Sequence, residues 1–219
     1  RSPGRLPRPL GYGAAVTWDE GVILIGGCDA QAHYADVTVL KWLDGQIQTT
    51  PLPSLPTPCA YGAAAVLGQM IYVAGGQDSP QAAGAMSNFW AFDLSRPDQP
   101  WQILTPWPGP ERILPVVAAQ DGAFFVVSGC QLTVDDRQQV SRRYLTDGYR
   151  FTPDPQDPLA GTWKRIADLP EPVAAAPSPA PAVGQTHFLV LGGDHGRYAG
   201  NSFAPPAAHP GFGRTVLAY

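Results

Sequence analysis

The chain has 219 residues, 44% of them hydrophobic and only 15% charged, and its 14 basic and 18 acidic groups leave a formal net charge of -4. That length allows one large domain or two small ones, with a substantial core in either case. The mild acidity and the lack of any Lys/Arg run argue against nucleic acid and anionic membrane surfaces as partners. No apolar stretch approaches the ~20 residues of a membrane-spanning helix, and no charged-then-apolar leader precedes the first repeat. The sequence begins at Arg1 rather than at a methionine, so a leader or membrane span outside it stays open. Cys28, Cys59 and Cys130 show neither C-x-x-C spacing nor an even count, which signals neither a zinc site nor a disulfide framework and leaves the redox compartment open.

The 25 prolines and 24 glycines point to short strands joined by many turns. Four apolar runs end in a pair of tiny residues: "VILIGG", "IYVAGG", "FFVVSG" and "FLVLGG". The first members of these pairs, Gly26, Gly75, Ser128 and Gly192, lie 49, 53 and 64 residues apart. This is close to the ~50-residue period of kelch units, each a four-stranded blade of a β-propeller. Four repeats are expected, at approximately 6–54, 55–107, 108–168 and 169–219, the last incomplete.

Within each repeat a proline-containing lead-in precedes a small-residue strand: "LPRPLGYGAAV", "LPTPCAYGAAAV", "PGPERILPVVA" and "LPEPVAAAPSPAPAV". Turns follow at Asp19-Glu20-Gly21, Gly68-Gln69, Asp121-Gly122 and Gly184-Gln185. The runs with the small pairs form the second strands, and "DVTVLKWL", "NFWAFDL", "DGYRF" and "GRTVLAY" read as third strands. Fourth strands are expected at Ile47, Trp101 and Trp163. The small pairs let crowded inner backbones approach one another. They lack the G-x-G-x-x-G or G-x-x-x-x-G-K-[ST] spacing of a nucleotide loop, and no helical period is persuasive. The fold class is therefore all-β, a kelch-type propeller with about four blades present. An open ring would expose edges that closure hides, so a larger propeller is expected.

"LPTPCAYGAAAVLGQMIYVAGGQ", "NFWAFDL", "WPGPERILPV", "FFVVSGC", "WKRIADLP", "GGDHG" and "HPGFGRTVLAY" together resemble the cyclically permuted mutarotase family, whose kelch-type members include N-acetylneuraminate (sialic acid) epimerases. The resemblance implies a six-bladed ring that interconverts anomers of the sugar acid, without a cofactor, in a periplasmic or extracytoplasmic setting. It also implies that missing blades, or a fused sodium:solute symporter, lie outside the sequence.

Topology restricts where chemistry can sit. In an up-and-down blade the start of the first strand and the end of the second share one face. Tyr12, Tyr61 and Glu111-Arg112 are therefore expected around one channel mouth, together with Cys28-Asp29, Gln77-Asp78, Cys130-Gln131, Asp194-His195 and Arg197. Such a polar and aromatic rim over an apolar blade set suits a sugar. Arg112 is the first choice for a bidentate clamp on a carboxylate, its alternative being a hydrogen-bonding strut between blades. Glu111 or His195 is expected as the acid/base. Adjacent residues on an extended lead-in point to opposite sides, so Glu111 and Arg112 are not both expected in the channel. Tyr12, Tyr61, Gln77, Gln131, Asp194 and Arg197 are expected to contact substrate. No metal is assigned, because His33, His187, His195 and His209 show no ligand spacing. Three insertions stand out, "TVDDRQQVSRR" and "TPDPQDPLAG" in the third repeat and "RYAGNSFAPPAAHPGFG" in the fourth, the last a candidate lid or a passive surface loop. The competing readings are a non-catalytic kelch module that binds a protein or glycan and, more distantly, a copper oxidase.

Overall fold

The computed structural model describes residues 4–19, 21–197, 212 and 214–219. Among these residues every regular element is a strand. The first sheet runs β1 (Ala14–Trp18), β2 (Gly21–Ile25), β3 (Val37–Leu43) and β4 (Gln46–Leu52), each strand antiparallel to the one before. The second repeats that order with β5 (Ala63–Leu67), β6 (Met70–Ala74), β7 (Phe89–Asp93) and β8 (Gln102–Ile103). In the third blade β9 (Val116–Gln120) and β10 (Ala123–Val127) are followed by a separate hairpin, β11 (Cys130–Val134) and β12 (Val140–Tyr144). The sheet then resumes with β13 (Gly148–Asp154) and β14 (Asp157–Ile166), whose pairing shifts register between Pro153 and Asp154. In the last sheet β15 (Ala182–Val183), β16 (His187–Leu191) and β17 (Val216–Ala218) are hydrogen-bonded in sequence. Thus "GRTVLAY" supplies a third strand, as expected. The inserted "TVDDRQQVSRR" is not an irregular loop but closes a hairpin with its own ladder.

The blades stack face to face. One cluster joins Ile23, Ile25 and Val37 to Ile71, Val73 and Phe92, across the first and second sheets. A second joins Tyr72 and Phe89 to Phe124, Val126 and Phe151, and a third joins Phe125 and Val127 to Phe188 and Val190. The central strands β6 and β10, covered on both sides, are buried at all five positions. β2 instead alternates, with Ile23 and Ile25 buried and Val22 and Leu24 half-buried, and β16 alternates in the same way. The middle blades thus read as continuous apolar runs and the flanking ones as period-two patterns, because only the former are sandwiched. Between the second and third blades aromatic rings supply the contact, with Phe89 and Phe151 centred 4.9 Å apart at 71°.

The small-residue pairs explain how closely the sheets approach. Gly26 has φ 61°, and a Cβ there would lie 2.2 Å from the carbonyl oxygen of Cys59 on the next blade. Gly75, at φ 68°, stands in the same relation to the carbonyl of Arg112, at 2.5 Å. The second member of each pair uses that proximity, since Gly27 N–H donates to Cys59 O, Gly76 to Arg112 O and Gly129 to Val173 O. These three pairs therefore stitch their blades to the next, and at Gly26 and Gly75 a residue without Cβ meets both the left-handed φ and the contact. Ser128 holds the third position at φ 55°; its hydroxyl donates to Leu145 O and accepts from Val173 N–H, both at 2.6 Å. The fourth-strand tryptophans fasten the linkers, Trp101 Nε1 donating to Pro53 O and Trp163 Nε1 to Thr105 O, each at 2.9 Å.

Candidate functional site

One lead-in residue of each blade faces the residue just past the small pair of its own blade. Gly11 bridges Cys28, Ala60 bridges Gln77, Ile113 bridges Cys130 and Ala174 bridges Asp194, every one through two N–H···O bonds of 2.8 to 2.9 Å. The next residue in each lead-in, Tyr12, Tyr61, Leu114 or Ala175, has φ between 52° and 60°. Such values are uncommon for residues with a Cβ, and rarer for a bulky one such as Leu114, so the surroundings must fix them. The cause is a ladder across the blades: Tyr61 N–H donates to Tyr12 O, Leu114 N–H to Tyr61 O and Ala175 N–H to Leu114 O. These four positions therefore lie side by side across the four blades, at the level where the sequence places a mouth.

Tyr12, 65% exposed, and half-buried Tyr61 set their rings 4.6 Å apart, giving the mouth an aromatic wall. His33, not singled out from the sequence, bridges Cys28 through its backbone. Its Nδ1 lies 2.9 Å from Gln77 O, and its ring stands edge-on to Tyr61 at 5.8 Å. Burial, together with the neighbouring Cys28 and Tyr12, raises the Tyr61 hydroxyl above its ordinary pKa. Gln77 turns its side-chain amide onto Ala82 O at 2.6 Å. Asp29 is likewise absorbed locally, accepting the Tyr34 hydroxyl and the amides of Gln31 and Ala32.

On the third and fourth blades the polar residues form linked pairs. Gln131 donates to Glu111 Oε1 at 2.9 Å and accepts from Arg143 Nε at 3.0 Å. Asp194 accepts the Tyr144 hydroxyl and the Gly196 amide. Burial and then the Asp194 hydrogen bond push the Tyr144 hydroxyl well above the usual tyrosine range. The same burial raises the Cys130 thiol to about 11. His195 Nδ1 approaches Glu171 Oε2 at 3.4 Å, too far for a good hydrogen bond, and exposed Arg197 reaches the same carboxylate at 3.3 Å. Tyr144 and Glu171 were not singled out from the sequence. Their places follow from the added hairpin and the fourth lead-in, neither of which advertises itself in a single residue.

Arg112 requires a correction. It is fully buried, and its guanidinium donates to Asp147 Oδ2 at 2.9 Å, Ser128 O at 2.8 Å and Pro110 O at 3.2 Å. The Trp107 and Tyr149 rings flank it at 5.3 and 5.6 Å. The group is a strut within the third blade, tying its lead-in to the end of β10 and to Asp147 just before β13, with no face left for a ligand's carboxylate. The physical reason is register: Ile113 is the bridging residue, so Arg112 takes the level of Leu10 and Cys59, which point between blades, while Leu114 takes the level of Tyr12 and Tyr61. Glu111, by contrast, is half-buried and accepts from Gln131. Most of the candidate lid, residues 198–211 and 213 with His209 and the first three residues of "HPGF", lies outside the described residues, as does Glu20 of the first turn. All three cysteines are free and buried.

Residues 58–97 match the Kelch motif. The chain is similar to proteins named N-acetylneuraminate epimerase: one from Haemophilus influenzae (strain PittEE) is 30% identical over 114 residues, 52% of this chain and 26% of that protein. One from Pasteurella multocida (strain Pm70) is 26% identical over 69% of this chain and 36% of its own length. One from Brucella suis (strain ATCC 23445 / NCTC 10510) is 27% identical over 75% of this chain and 39% of its own length. The chain thus spans between about a quarter and two fifths of the curated relatives it matches. The motif, the sheet order and these relatives agree with the kelch propeller and the family resemblance read from the sequence.

Proposed function

We propose that these blades form part of a sugar isomerase that interconverts the anomers of N-acetylneuraminate or a related 2-keto sugar acid. The observation that supports it most is the set of matching backbone bridges that includes Asp194 and lies next to Tyr12, Tyr61, Gln131 and His195, in a chain similar to epimerases of that name. A base takes the proton of the anomeric hydroxyl. The freed electron pair forms the ketone as the bond from the anomeric carbon to the ring oxygen breaks, and an acid protonates that oxygen. Reclosure on the opposite face of the ketone gives the other anomer.

His195, whose Nδ1 stands 3.4 Å from the Glu171 carboxylate, is the side chain assigned to one proton transfer. Glu111, oriented by Gln131, suits the other. The paired tyrosine rings offer an apolar face to the sugar, while Asp194 is placed to meet a hydroxyl. Anomer exchange of N-acetylneuraminate, followed by NMR with the full-length protein, tests the proposal. His195→Gln and Glu111→Gln are each expected to lower the exchange rate by about 10²–10⁴-fold. Wild-type protein that leaves exchange at its uncatalysed rate sinks the activity, and unaltered rates in both variants remove the assigned roles.

A non-catalytic binding role draws support from Trp42 and Leu43, 60% and 50% exposed beside the β3–β4 turn on the face away from the mouth. Ligand capture without accelerated exchange, lost on Trp42→Ala, is the outcome that reading requires.

A further inference from the structure

The third blade departs from the first two by its hairpin β11–β12, placed between second and third strands. Its register sets Cys130 opposite Tyr144 and Leu132 opposite Arg142. Directly paired residues of antiparallel strands project to the same face, so these four side chains share one face. That face meets the mouth. Tyr144 donates to Asp194 of the fourth blade and covers Gly196, and Tyr61 packs on the cluster of Ile113, Cys130, Leu132 and Ala174.

The opposite face satisfies itself, with Arg143 bonded to Gln131 and the Thr133 and Ser141 hydroxyls bonded to each other at 2.8 Å. Two neighbouring arginines therefore have different fates. Arg143 is held, whereas Arg142 is exposed and has no hydrogen-bond or ion-pair partner among the described residues. Asp135, at the hairpin tip, does not compete for it, being turned onto the amides of Arg137 and Gln139 at 2.8 Å. The Arg142 charge acts on Tyr61, Cys130 and Tyr144, in each case favouring the ionised form against burial. It therefore lies within Coulomb reach of both the second and third blades.

We infer that Arg142 is the anion-binding residue of the mouth, holding the carboxylate of a sugar acid whose ring lies against the Tyr12–Tyr61 pair. The inference rests on the sugar-acid reading above and moves the clamp from Arg112 to a guanidinium that a ligand can reach. A planar fork beside hydroxyl-bearing aromatics suits bidentate carboxylate recognition, and an exposed Arg loses less hydration than a Lys on binding. The hairpin thus acts as the specificity element of the blade.

Binding of N-acetylneuraminate and of its uncharged methyl ester, measured by calorimetry on the full-length protein, separates the possibilities. Wild type is expected to prefer the acid by ~10–100-fold. Arg142→Gln should bring that ratio near one, Arg142→Lys should fall between, and Arg137→Gln at the hairpin tip should match wild type. Thermal melts check that each variant is folded. An Arg142→Gln protein that keeps the full preference overturns the assignment, as does a wild type that binds acid and ester equally. A wild type that binds neither removes the sugar-acid reading itself, a different failure from losing the clamp.

Discussion

Arg112 and Arg142 sit on the same blade and carry the same charge, yet their settings are opposite. Around Arg112 one carboxylate, two backbone carbonyls and two aromatic rings close on the guanidinium, and the whole knot is out of water. Around Arg142 a short two-stranded hairpin leaves the charge free and within reach of a ligand. The lesson concerns division of labour. A buried cation hydrogen-bonded through all three of its nitrogens fixes how a lead-in meets its own blade and is out of a substrate's reach, while an unspent one on a narrow hairpin stabilises little and is available for binding.

Removing the knot should have the largest effect. Arg112→Ala leaves Asp147 buried without its partner and should cost about 3–5 kcal/mol, read as a lower urea midpoint. A midpoint that stays put would break the comparison at its strong end.

The stitch beside the knot comes next. Gly75→Ala forces a Cβ against the Arg112 carbonyl at positive φ and should cost about 2–3 kcal/mol. Gly45→Ala, at φ 79° but in open space, keeps the conformational penalty and removes the clash. It should cost no more than ~1 kcal/mol. Equal losses from the two substitutions would mean that blade contact contributes nothing at Gly75.

The smallest effect is kinetic and sharpens the comparison at its weak end. Burial raises the thiol of Cys59, beside the blade interface, to about 12 and that of Cys130, at the hairpin base, to about 11. A raised thiol pKa means less thiolate, so both should resist N-ethylmaleimide at neutral pH in the folded protein. The ratio of their modification rates, followed by mass spectrometry, reports how much more often the hairpin opens than the interface. A Cys130 no faster than Cys59 would make the hairpin as firm as the blades.

The propeller framework could be read in advance because its signals have strict local causes. The small pairs must be small where a neighbouring carbonyl stands 2.2 to 2.5 Å from a would-be Cβ. The hairpin turns and aromatic third strands follow from similarly local rules. The mouth was legible as a set of levels, because up-and-down topology returns the second strand to the start of the first. What escaped was register and insertion. A two-residue difference in alignment separates Arg112 from the level of Tyr61, and no pattern within "PGPERILPV" distinguishes the two placements. In "QLTV" and "VSRRY" an alternating pattern was present. It was hidden by the polar turn between the segments and by Arg142 and Arg143, which differ only in the side of the hairpin they face.

The amide ladder through Tyr12, Tyr61, Leu114 and Ala175 has an electrostatic corollary. Each bond in it pairs the N–H of one blade with the carbonyl of the blade before, so these peptide groups are spent on one another and offer little to a solute. The sign of the entrance is therefore left to side chains mounted on the belt or leaning over it. A lineage could convert such an opening from anion-seeking to neutral or cation-seeking by exchanging one residue on an appended ribbon, with the load-carrying framework untouched.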